Sequence, residues 1–361
     1  MTIYLLGAFL LSLICGVTFT PLILDFCKRK KLYDIPNERK VHKNAVPRLG
    51  GISFLPSMLA AFLIIILFMP VSENYTLPIN LWSAIFLLGL MMIYATGIID
   101  DLVGLNATTK FFVQIVTAAI LSMAGLYINN LYGLFGIYEI PAYVGIPLTI
   151  FTIVFIDNAI NLIDGIDGLA AGLSLLALTG FLCYFIHYEV FSHTYNIMVA
   201  GLMGALTAFC YFNLFGKTER NTRIFMGDSG SLSLGYILGF LAIKCAMDNP
   251  TIWPSREDAI LVPLTLLFVP TADVVRVTFH RLFHHQPLFR ADKNHIHHKL
   301  MQAGLSQHQA LMTILTLAVL FIVINSLLYY YTTPTLIVFI DVLAYCIVNI
   351  YINLKTKPAS A

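Results

Sequence analysis

Two carboxylates, Asp164 and Asp167, stand three residues apart in the sequence NLIDGIDG, and Asn158 and Asn161 continue the same spacing toward the N-terminus. On a continuous α-helix each step of three residues turns the chain by about 60°, so only neighbours in this series could act together. The glycine after each carboxylate allows the backbone to unwind and to gather the four side chains. The segment therefore predicts a polar site for a cation or a substrate, with a helix-breaking turn as the plain alternative.

Asp100 and Asp101 are adjacent, so on an ideal helix their side chains point about 100° apart. Gly104 indicates that the helix ends just after them. Carboxylates at a helix C-terminus interact unfavourably with the helix dipole, which points to a cation or a basic partner nearby. The alternative is that both carboxylates are simply hydrated at a helix end.

The sequence GDSGS at 227–231 precedes an apolar stretch and predicts the start of a helix. Free backbone N–H groups at such a start attract phosphate. Asp228 could also hold Mg²⁺, because this ion prefers one or two carboxylates together with substrate oxygens. Ordinary N-capping by Asp228 or Ser229 is the alternative.

The segment 280–299 mixes imidazoles with fixed positive charges and contains the sequence HIHH at 295–298. Several N–H donors and positive charges suit the recognition of a nucleotide or sugar diphosphate. A zinc site is one alternative, and a solvated loop is the other. Farther upstream, Arg48 in the sequence PRLGG stands beside glycines that allow close approach to an anionic group, although basic residues beside a span often only set its orientation.

The composition excludes an ordinary water-soluble protein. Hydrophobic residues make up 58% of the 361 and charged residues 11%, and the mean hydropathy is +0.82. A net charge of +2 is too small to indicate nucleic-acid binding. The six cysteines have no metal-type spacing and lie mostly in apolar stretches, so they indicate packing rather than disulfides. The chain is therefore predicted to be an all-α, polytopic integral membrane protein.

Apolar stretches near the ~20-residue length of a bilayer crossing predict about eleven transmembrane helices in a single multi-pass domain, residues 1–361. They lie at about 2–24, 50–69, 80–99, 109–127, 142–160, 166–187, 195–215, 229–248, 258–277, 308–331 and 335–354. Ten helices are the alternative count. The segment 131–139 contains two glycines between apolar residues and predicts a small hairpin.

The distribution of basic residues predicts the orientation. Of the 21 Lys and Arg residues, all but Lys244 and Arg256 fall in segments that this arrangement places on one side of the membrane. Cytoplasmic loops carry the excess of positive residues, so we expect the N-terminus outside and the C-terminus in the cytoplasm. All four polar clusters then face the cytoplasm and form one site.

A single polar site at the ends of the spans favours an enzyme. Transporters place ionisable groups near the middle of the membrane and contain paired broken helices. A transporter or flippase for a lipid-linked substrate is the alternative of another class, and a phosphatase for lipid diphosphates is a third reading.

Taken together, these residues resemble the polyprenyl-phosphate N-acetylhexosamine-1-phosphate transferase superfamily. The resemblance extends over nearly the whole chain and rests on RKVH at 39–42, PRLGG at 47–51, Asp100-Asp101, NLIDGIDG at 161–168, GDSGS at 227–231 and HIHH at 295–298. The HIHH form, with Ala291-Asp292-Lys293 before it, is similar to the WecA/TagO-like branch, which uses UDP-N-acetylglucosamine.

The resemblance implies transfer of N-acetylglucosamine 1-phosphate from UDP-N-acetylglucosamine to undecaprenyl phosphate, at the cytoplasmic face of the bacterial cell membrane. The products would be undecaprenyl-diphosphate-N-acetylglucosamine and UMP, and the step would initiate a cell-envelope glycan such as teichoic acid or another polysaccharide. Another UDP-N-acetylhexosamine is the alternative donor. The resemblance also implies Mg²⁺, or Mn²⁺ in its place, as cofactor and membrane lipid as a partner. The sequence leaves the oligomeric state open, with a homodimer as one option.

The same resemblance implies a role for each polar residue. Asp100 and Asp101 are expected to be catalytic, with Asp100 as the base, and Asp228 and Asn161 to bind the metal ion. The expected substrate-binding residues are Arg48, Lys110, Asn161, Asp164, Asp167, His295, His297 and His298. Among these, Lys110 would contact the diphosphate, and Asp164 and Asp167 the nucleotide.

Elementary acid–base chemistry limits the role of a base. A phosphate monoester has a second pKa near ~6, so a lipid phosphate is largely deprotonated at neutral pH. Positioning and charge neutralisation are therefore expected to matter more than proton removal by Asp100. A covalent intermediate on an aspartate is the alternative mechanism.

Overall fold

The computed structural model describes residues 1–34, 45–69, 81–188, 193–217, 222–249, 256–287 and 293–356. It is built almost entirely of helices, which confirms the predicted all-α class. They are α1 (Thr2–Lys30), α2 (Phe54–Phe68), α3 (Leu81–Val103), α4 (Ala107–Met123), α5 (Ala142–Ile163), α6 (Leu169–His187), α7 (His193–Phe215), α8 (Asp228–Ala246), α9 (Leu261–Leu266), α10 (Phe268–Phe283), α11 (Ile296–Gln302), α12 (Gln307–Leu328) and α13 (Pro334–Lys355). A 3-10 helix, Gly50–Ser53, leads into α2.

The protein is a multi-pass membrane protein. In the described part of the chain, nine helices are long and apolar enough to cross a membrane. Large apolar side chains stay exposed on the outer helices, such as Phe112 at 66% and Leu22 at 66%. Exposed apolar surface of this extent suits contact with lipid tails rather than water. Helix α4 is apolar but has only 17 residues.

The predicted span at 258–277 is wrong as a single helix. The structure divides it into α9 and α10 at Leu267, where φ is −106° and ψ is 10°. Pro270 has no N–H group to donate to the carbonyl of Leu266, four residues earlier, so the ladder of helical hydrogen bonds is interrupted there.

Helix α8 lies at the centre of the bundle, and its residues from Ser229 to Ala246 are all buried. It packs against α3, α5 and α6. Small residues permit this packing: a Cβ atom on Gly235 would lie 2.5 Å from the Cα atom of Asp157 in α5. Because α8 begins with Asp228, its central position also brings this carboxylate to the middle of one end of the bundle.

Several helices end or begin at the same end of the bundle, here called the site end. The ends of α3, α5 and α7 and the starts of α8 and α12 all contribute residues to one cavity there. Helices α3 and α4 are antiparallel over their whole length. Trp82, at the start of α3, donates its Nε1–H to the carbonyl of Ala124 at 2.8 Å. Lys110, near the start of α4, lies 3.3 Å from Asp100 near the end of α3.

The segment before α8 pairs with the segment before α2. Phe225 donates its N–H to the carbonyl of Pro47 at 2.7 Å. Gly50 and Gly51 donate theirs to the carbonyls of Phe225 and of the residue after it, at 2.9 and 2.8 Å. A Cβ atom on Gly51 would lie 2.1 Å from the backbone nitrogen of Gly230, so only glycine fits. The backbone thus joins the PRLGG and GDSGS sequences at the site end.

The other end of the bundle, where α8 stops at Ala246, is here called the opposite end. The predicted hairpin at 131–139 is confirmed there as β3 (Asn130–Leu134) and β4 (Ile137–Glu139). Asn130 donates to the carboxylate of Asp248, just after α8, at 3.1 Å. The other short pair is β1 (Tyr33–Asp34) with β2 (Val46–Pro47), and all six cysteines are unpaired.

Candidate active site

A cavity of about 350 Å³ opens at the site end. Among the described residues, its polar lining consists of Asp34, Arg48, Asp100, Asp101, Asn161, Asp164, Asp167, Asn213, Arg223, Asp228, Ser231, His298 and Gln307. The structure therefore brings the predicted carboxylates together with Asn161, Arg48 and His298. His295 and His297 are not part of this lining. The RKVH sequence at 39–42, and Ala291 and Asp292, lie outside the described residues.

Asp228, the first residue of α8, lies in a cluster of polar side chains. Its Oδ1 atom accepts from the amide of Asn161 at 3.2 Å, and its Oδ2 atom accepts from Lys110 at 2.6 Å. Asn161 also donates to the hydroxyl of Ser231 at 2.9 Å. A carboxylate, an amide and a hydroxyl are oxygen donors of the kind that Mg²⁺ prefers. These residues fit a Mg²⁺ ion that keeps several positions for water or phosphate oxygens.

Asp100 lies in the last turn of α3, just before the connection to α4. Its Oδ1 atom accepts the backbone N–H of Leu105 at 2.7 Å, and its Oδ2 atom lies 3.3 Å from the ammonium of Lys110. Gly104, with φ of 75°, makes the turn that the sequence predicted after this helix. Lys110 thus connects Asp100 with Asp228, which is the basic partner expected for carboxylates at a helix C-terminus.

Asp101 has a different set of partners, as expected of adjacent residues on a helix. It is 4% exposed, and its two oxygens accept the backbone N–H groups of Asp228 and Ser229, each at 2.9 Å. A carboxylate at the N-terminus of a helix satisfies free donors and interacts favourably with the dipole. The next two N–H groups of α8 bond to the carbonyl of Gly227. The expectation that free N–H groups of this helix would bind phosphate is therefore wrong.

Gly227 makes this arrangement possible. Its φ is 73°, a conformation that side chains rarely adopt. A Cβ atom there would lie 2.1 Å from the carbonyl oxygen of Arg48 and 2.6 Å from a carboxylate oxygen of Asp101. Only glycine lets the Asp101 carboxylate reach the start of α8.

Asp164 follows α5 directly and is half-buried in the cavity wall. Burial, followed by the negative charges of Asp228, Asp167 and Asp101, raises the pKa of its carboxyl to about 8. Without a cation nearby, Asp164 therefore holds a proton at neutral pH. A cation in the cavity would favour release of this proton, because positive charge stabilises the ionised form.

Asp167 is held by two residues that the sequence analysis missed. Its Oδ1 atom accepts from the amide of Asn213 at 3.3 Å, and its Oδ2 atom contacts the guanidinium of Arg223. Burial raises the pKa of Asp167, and the charge of Arg223 opposes this shift. The carbonyl of the Asn213 amide also accepts the N–H of Gly168 at 2.7 Å, which fixes the turn that carries both carboxylates. Arg223 could have been found from its place just before the GDSGS sequence.

The three histidines of the HIHH sequence have three different surroundings. His298 lines the cavity. His297 is 1% exposed and packs on Gly165, where a Cβ atom would lie 2.1 Å from its Nε2 atom. Burial lowers the pKa of His297 to about 3, so this ring is neutral. His295 lies with its Nδ1 atom 2.8 Å from a carboxylate oxygen of Asp273 in α10.

Metal ligation by the histidines has little support in the described part of the chain. No group of three or more His, Cys, Asp or Glu side chains could hold a metal ion among the residues that the structure describes. The zinc alternative therefore lacks a ligand set there.

The described lining of the cavity carries an excess of negative charge. Six carboxyl groups contribute to it, and with Asp164 protonated the other five still outnumber the two guanidinium groups. Lys110 adds one ammonium through its contacts with Asp100 and Asp228. An anionic substrate would be repelled by this charge unless a cation accompanied it.

The sequence of this chain is similar to those of known transferases. Residues 83–246, which include Asp100, Asp101, Lys110 and the segments around Asn161 and Asp228, match the model of glycosyl transferase family 4. A probable undecaprenyl-phosphate N-acetylglucosaminyl 1-phosphate transferase of Bacillus subtilis is 31% identical over 97% of this chain and 94% of its own length. The chain belongs to the polyprenyl-phosphate N-acetylhexosamine-1-phosphate transferases. The resemblance stated from the sequence is thus confirmed.

Other relatives of this family lead to the same branch. An undecaprenyl-phosphate alpha-N-acetylglucosaminyl 1-phosphate transferase of Escherichia coli K12 is 28% identical over 86% of this chain and 81% of its own length. A decaprenyl-phosphate N-acetylglucosaminephosphotransferase of Mycolicibacterium smegmatis is 31% identical over 77% of this chain and 71% of its own length. Their names share N-acetylglucosamine phosphate and a polyprenyl phosphate, which agrees with the WecA/TagO-like branch.

Proposed function

We propose that this protein transfers N-acetylglucosamine 1-phosphate from UDP-N-acetylglucosamine to undecaprenyl phosphate, which yields undecaprenyl-diphosphate-N-acetylglucosamine and UMP. The observation that carries the proposal is the similarity to the Bacillus subtilis relative, 31% identical over 97% of the chain. The acidic cavity at the ends of several helices supports it, because a lipid phosphate held at the membrane surface can meet a nucleotide from the adjoining water there.

The reaction is a phosphoryl transfer between two anions. An oxygen of the lipid phosphate attacks the β-phosphorus of UDP-N-acetylglucosamine, and the bond from that phosphorus to the bridging oxygen breaks, so UMP leaves. Little covalent chemistry remains for the protein beyond positioning and neutralisation of charge. The excess of carboxylates in the described lining makes neutralisation the main requirement.

The proposed cofactor is Mg²⁺, with Mn²⁺ as its substitute. Asp228 and Asn161 would hold it, with the hydroxyl of Ser231 beside them. When bound, the ion supplies positive charge to diphosphate oxygens in a cavity that is otherwise negative. This proposal is supported by the chemistry of the donor set and by the low number of protein ligands that Mg²⁺ requires.

Lys110 is proposed to move from its carboxylate partners to the diphosphate when substrate binds. Its ammonium lies 2.6 Å from Asp228 and 3.3 Å from Asp100. Asp100 is then a positioning group for Lys110 more than a base, since the lipid phosphate has lost its proton at neutral pH. Asp101 is proposed to act indirectly, because its oxygens are occupied by the N–H groups of α8.

The nucleotide sugar is proposed to contact other polar residues of the cavity lining. Arg48 and His298 supply donors there, and Asp164 and Asp167 form the turn between α5 and α6. Arg223 and Asn213 keep Asp167 in place. Donors and carboxylates so arranged can bind the phosphates on one side and the hydroxyl or amide groups of the nucleotide on the other.

The proposed topology has eleven crossings, an outer N-terminus and a cytoplasmic active site in the bacterial plasma membrane. Helix α4 supports the count because it runs along the whole of α3. The pair α9–α10 supports it as one broken crossing. It follows Arg256, which bonds to the carbonyl of Cys245 at the opposite end, and α10 contacts the start of α11 near the cavity.

An impermeant thiol reagent tests the orientation. A cysteine placed at Asn106, between α3 and α4, should be labelled only from the cytoplasmic side in a background without the native cysteines. Labelling from outside in intact cells would contradict the orientation.

The transfer itself is tested with purified protein, undecaprenyl phosphate and a panel of UDP-sugars. We expect UMP release that requires both the lipid and UDP-N-acetylglucosamine, and a lower rate with UDP-N-acetylgalactosamine. Release of UMP without the lipid, or no release with any UDP-sugar, would contradict the proposal. The product would initiate a cell-envelope glycan such as teichoic acid.

A further inference from the structure

The carboxylate of Asp273, in the middle of α10, is fully buried and has four partners. Its Oδ2 atom lies 2.8 Å from the Nδ1 atom of His295. Its Oδ1 atom accepts the backbone N–H of Ile296 at 3.0 Å, and it also lies 2.8 Å from Arg276 and 3.3 Å from the hydroxyl of Tyr345. One side chain therefore connects α10, the start of α11 and α13.

Arg276 strengthens this connection. Its guanidinium contacts the Asp273 carboxylate and also the backbone carbonyl of Asn294, the residue before His295. The chain that enters α11 is thus held on both sides, through its carbonyl by Arg276 and through its N–H and imidazole by Asp273. Hydrogen bonds to charged groups are among the stronger ones in proteins, particularly when they are buried.

The contact with Asp273 fixes which ring nitrogen of His295 acts as the hydrogen-bond donor. A carboxylate only accepts hydrogen bonds, so Nδ1 of His295 must carry the proton that it donates to Asp273. His295 is 6% exposed, and its side chain is absent from the described lining of the cavity. The ring is therefore placed as part of the scaffold, in contrast to His298.

The position of His295 determines where the rest of the HIHH sequence lies. The rings of His295 and His297 are parallel within 9°, with centroids 5.9 Å apart. His297 packs on Gly165, and the ring of His298, 4.2 Å from that of His297, lines the cavity. A shift at the start of α11 would therefore move His298 relative to the turn that carries Asp164 and Asp167.

We propose that His295 and Asp273 are a positioning pair, which fixes the HIHH segment against the cavity, and that His295 does not contact substrate. This inference rests on the proposed transferase function for its effect on activity. The hydrogen bond between these two side chains, here called the latch, is a property of the fold, so its loss can also be measured as a loss of stability.

Two isosteric substitutions distinguish the roles of the two ring nitrogens. The amide nitrogen of His295→Asn falls where Nδ1 lies and can still donate to Asp273. The amide of His295→Gln reaches the position of Nε2 and cannot make that bond in the same way. If the ring is a latch, His295→Asn should keep its activity within about threefold, and His295→Gln and His295→Ala should lose at least tenfold.

The thermal unfolding midpoint should follow the same order, with His295→Asn near the wild type and the other two lower. A wild type without UMP release would contradict the transferase proposal and still leave this order as a test of the latch.

Asp273→Asn should raise the KM for UDP-N-acetylglucosamine more than that for undecaprenyl phosphate. The double variant Asp273→Asn/His295→Ala should be no worse than the poorer single variant, because both substitutions disrupt the same contact between Asp273 and His295. His187→Asn, an exposed histidine at the end of α6, is the matched control and should change neither quantity.

The opposite pattern would overturn the inference. Activity and stability retained by His295→Gln and lost by His295→Asn would assign the function to Nε2, and so to contact with substrate. Equal losses in both variants, or no loss in any of them, would also contradict a latch through Nδ1. Additive losses in the double variant would show that the two residues act separately.

Discussion

The two ends of the helix bundle use the same kinds of buried polar group in different ways. At the opposite end, Arg256 is 2% exposed and donates to the carbonyls of Cys245 and Met247 at 3.1 and 2.8 Å, where α8 stops. Asp258 accepts the hydroxyl of Tyr184 at 3.1 Å. These groups form hydrogen bonds with the carbonyls at the end of a helix and with other side chains. Their role is therefore structural.

The site end is left with charge that its described residues do not balance. Six carboxyl groups line the cavity against two guanidinium groups. Some carboxylates there do serve the fold, as Asp101 does for α8, but Asp228 and Asp164 keep oxygens that face the cavity. Burial of an acid in this membrane protein is therefore not itself a sign of catalysis. The sign is an excess of one charge around an open cavity.

The largest effect on the rate per folded protein should come from replacing an acid at the site end, compared with a matched acid at the opposite end. Asp228→Asn keeps the size of the side chain and removes the charge that a hard cation needs, so UMP release should fall by roughly 10²–10³-fold. Asp258→Asn should leave the rate per folded protein unchanged and lower stability by about 1 kcal/mol. Turnover and thermal unfolding of both variants check this. Undiminished turnover of Asp228→Asn at limiting Mg²⁺ would remove Asp228 from the metal site.

Two glycines with positive φ form a second matched pair. Gly227→Ala would place its methyl 2.1 Å from the carbonyl of Arg48 and should destabilise the fold by about 3 kcal/mol or more, with a loss of activity that follows the loss of folded protein. Gly136, in the hairpin at the opposite end, has φ of 76° and nothing within 4 Å of such a methyl. Gly136→Ala should therefore cost only about 1 kcal/mol and keep full activity. Similar losses in both would mean that the close contacts around Gly227 are unimportant.

Asp100→Asn asks what the carboxylate at the end of α3 does. We expect a loss of roughly 10–100-fold that is nearly constant between about pH 6 and 8.5, because the variant weakens the hold on Lys110. A base would give a different profile, since the lipid phosphate ionises by itself near pH ~6 and would rescue the variant at higher pH. The pH dependence of kcat for the variant and the wild type decides between these roles.

Most of the site could be predicted from the sequence because its chemistry stands out from an apolar background. Placing a carboxylate at the centre of a membrane span costs at least ~2.5–3.5 kcal/mol, so each acid in such a chain is a candidate functional residue. Asp100, Asp164, Asp167 and Asp228 were found in this way, and they do share a cavity. The all-α class followed from the same apolar stretches.

What the sequence could not supply were long-range partners. That Asp101 caps α8 depends on the packing of α3 against α8, which no local pattern encodes. The pairing of Asp167 with Arg223 and Asn213 depends on the path of α7 in the same way. The break at Leu267 was missed because hydropathy records the apolar run and not the N–H group that Pro270 lacks.

The smallest effect should come from a buried acid that lies outside the cavity. Asp157 in α5 is 1% exposed, lies beside Gln114 of α4 and is not part of the described lining of the cavity. A buried charge costs several kcal/mol in such surroundings, so a neutral amide of the same size should be tolerated at this position. Asp157→Asn should then keep activity within about twofold and leave the unfolding midpoint unchanged. A tenfold loss of activity would show that the carboxylate of Asp157 is needed for the reaction.

Removal of divalent cations tests most directly whether the acidic cavity handles its anionic substrates only with a metal ion. Purified protein with undecaprenyl phosphate and UDP-N-acetylglucosamine would be assayed for UMP after treatment with a chelator, and again after Mg²⁺ or Mn²⁺ is restored. We expect release to stop on chelation and to return with either ion, because the carboxylates around Asp228 otherwise repel the diphosphate. Release at the full rate with no divalent cation present would contradict it.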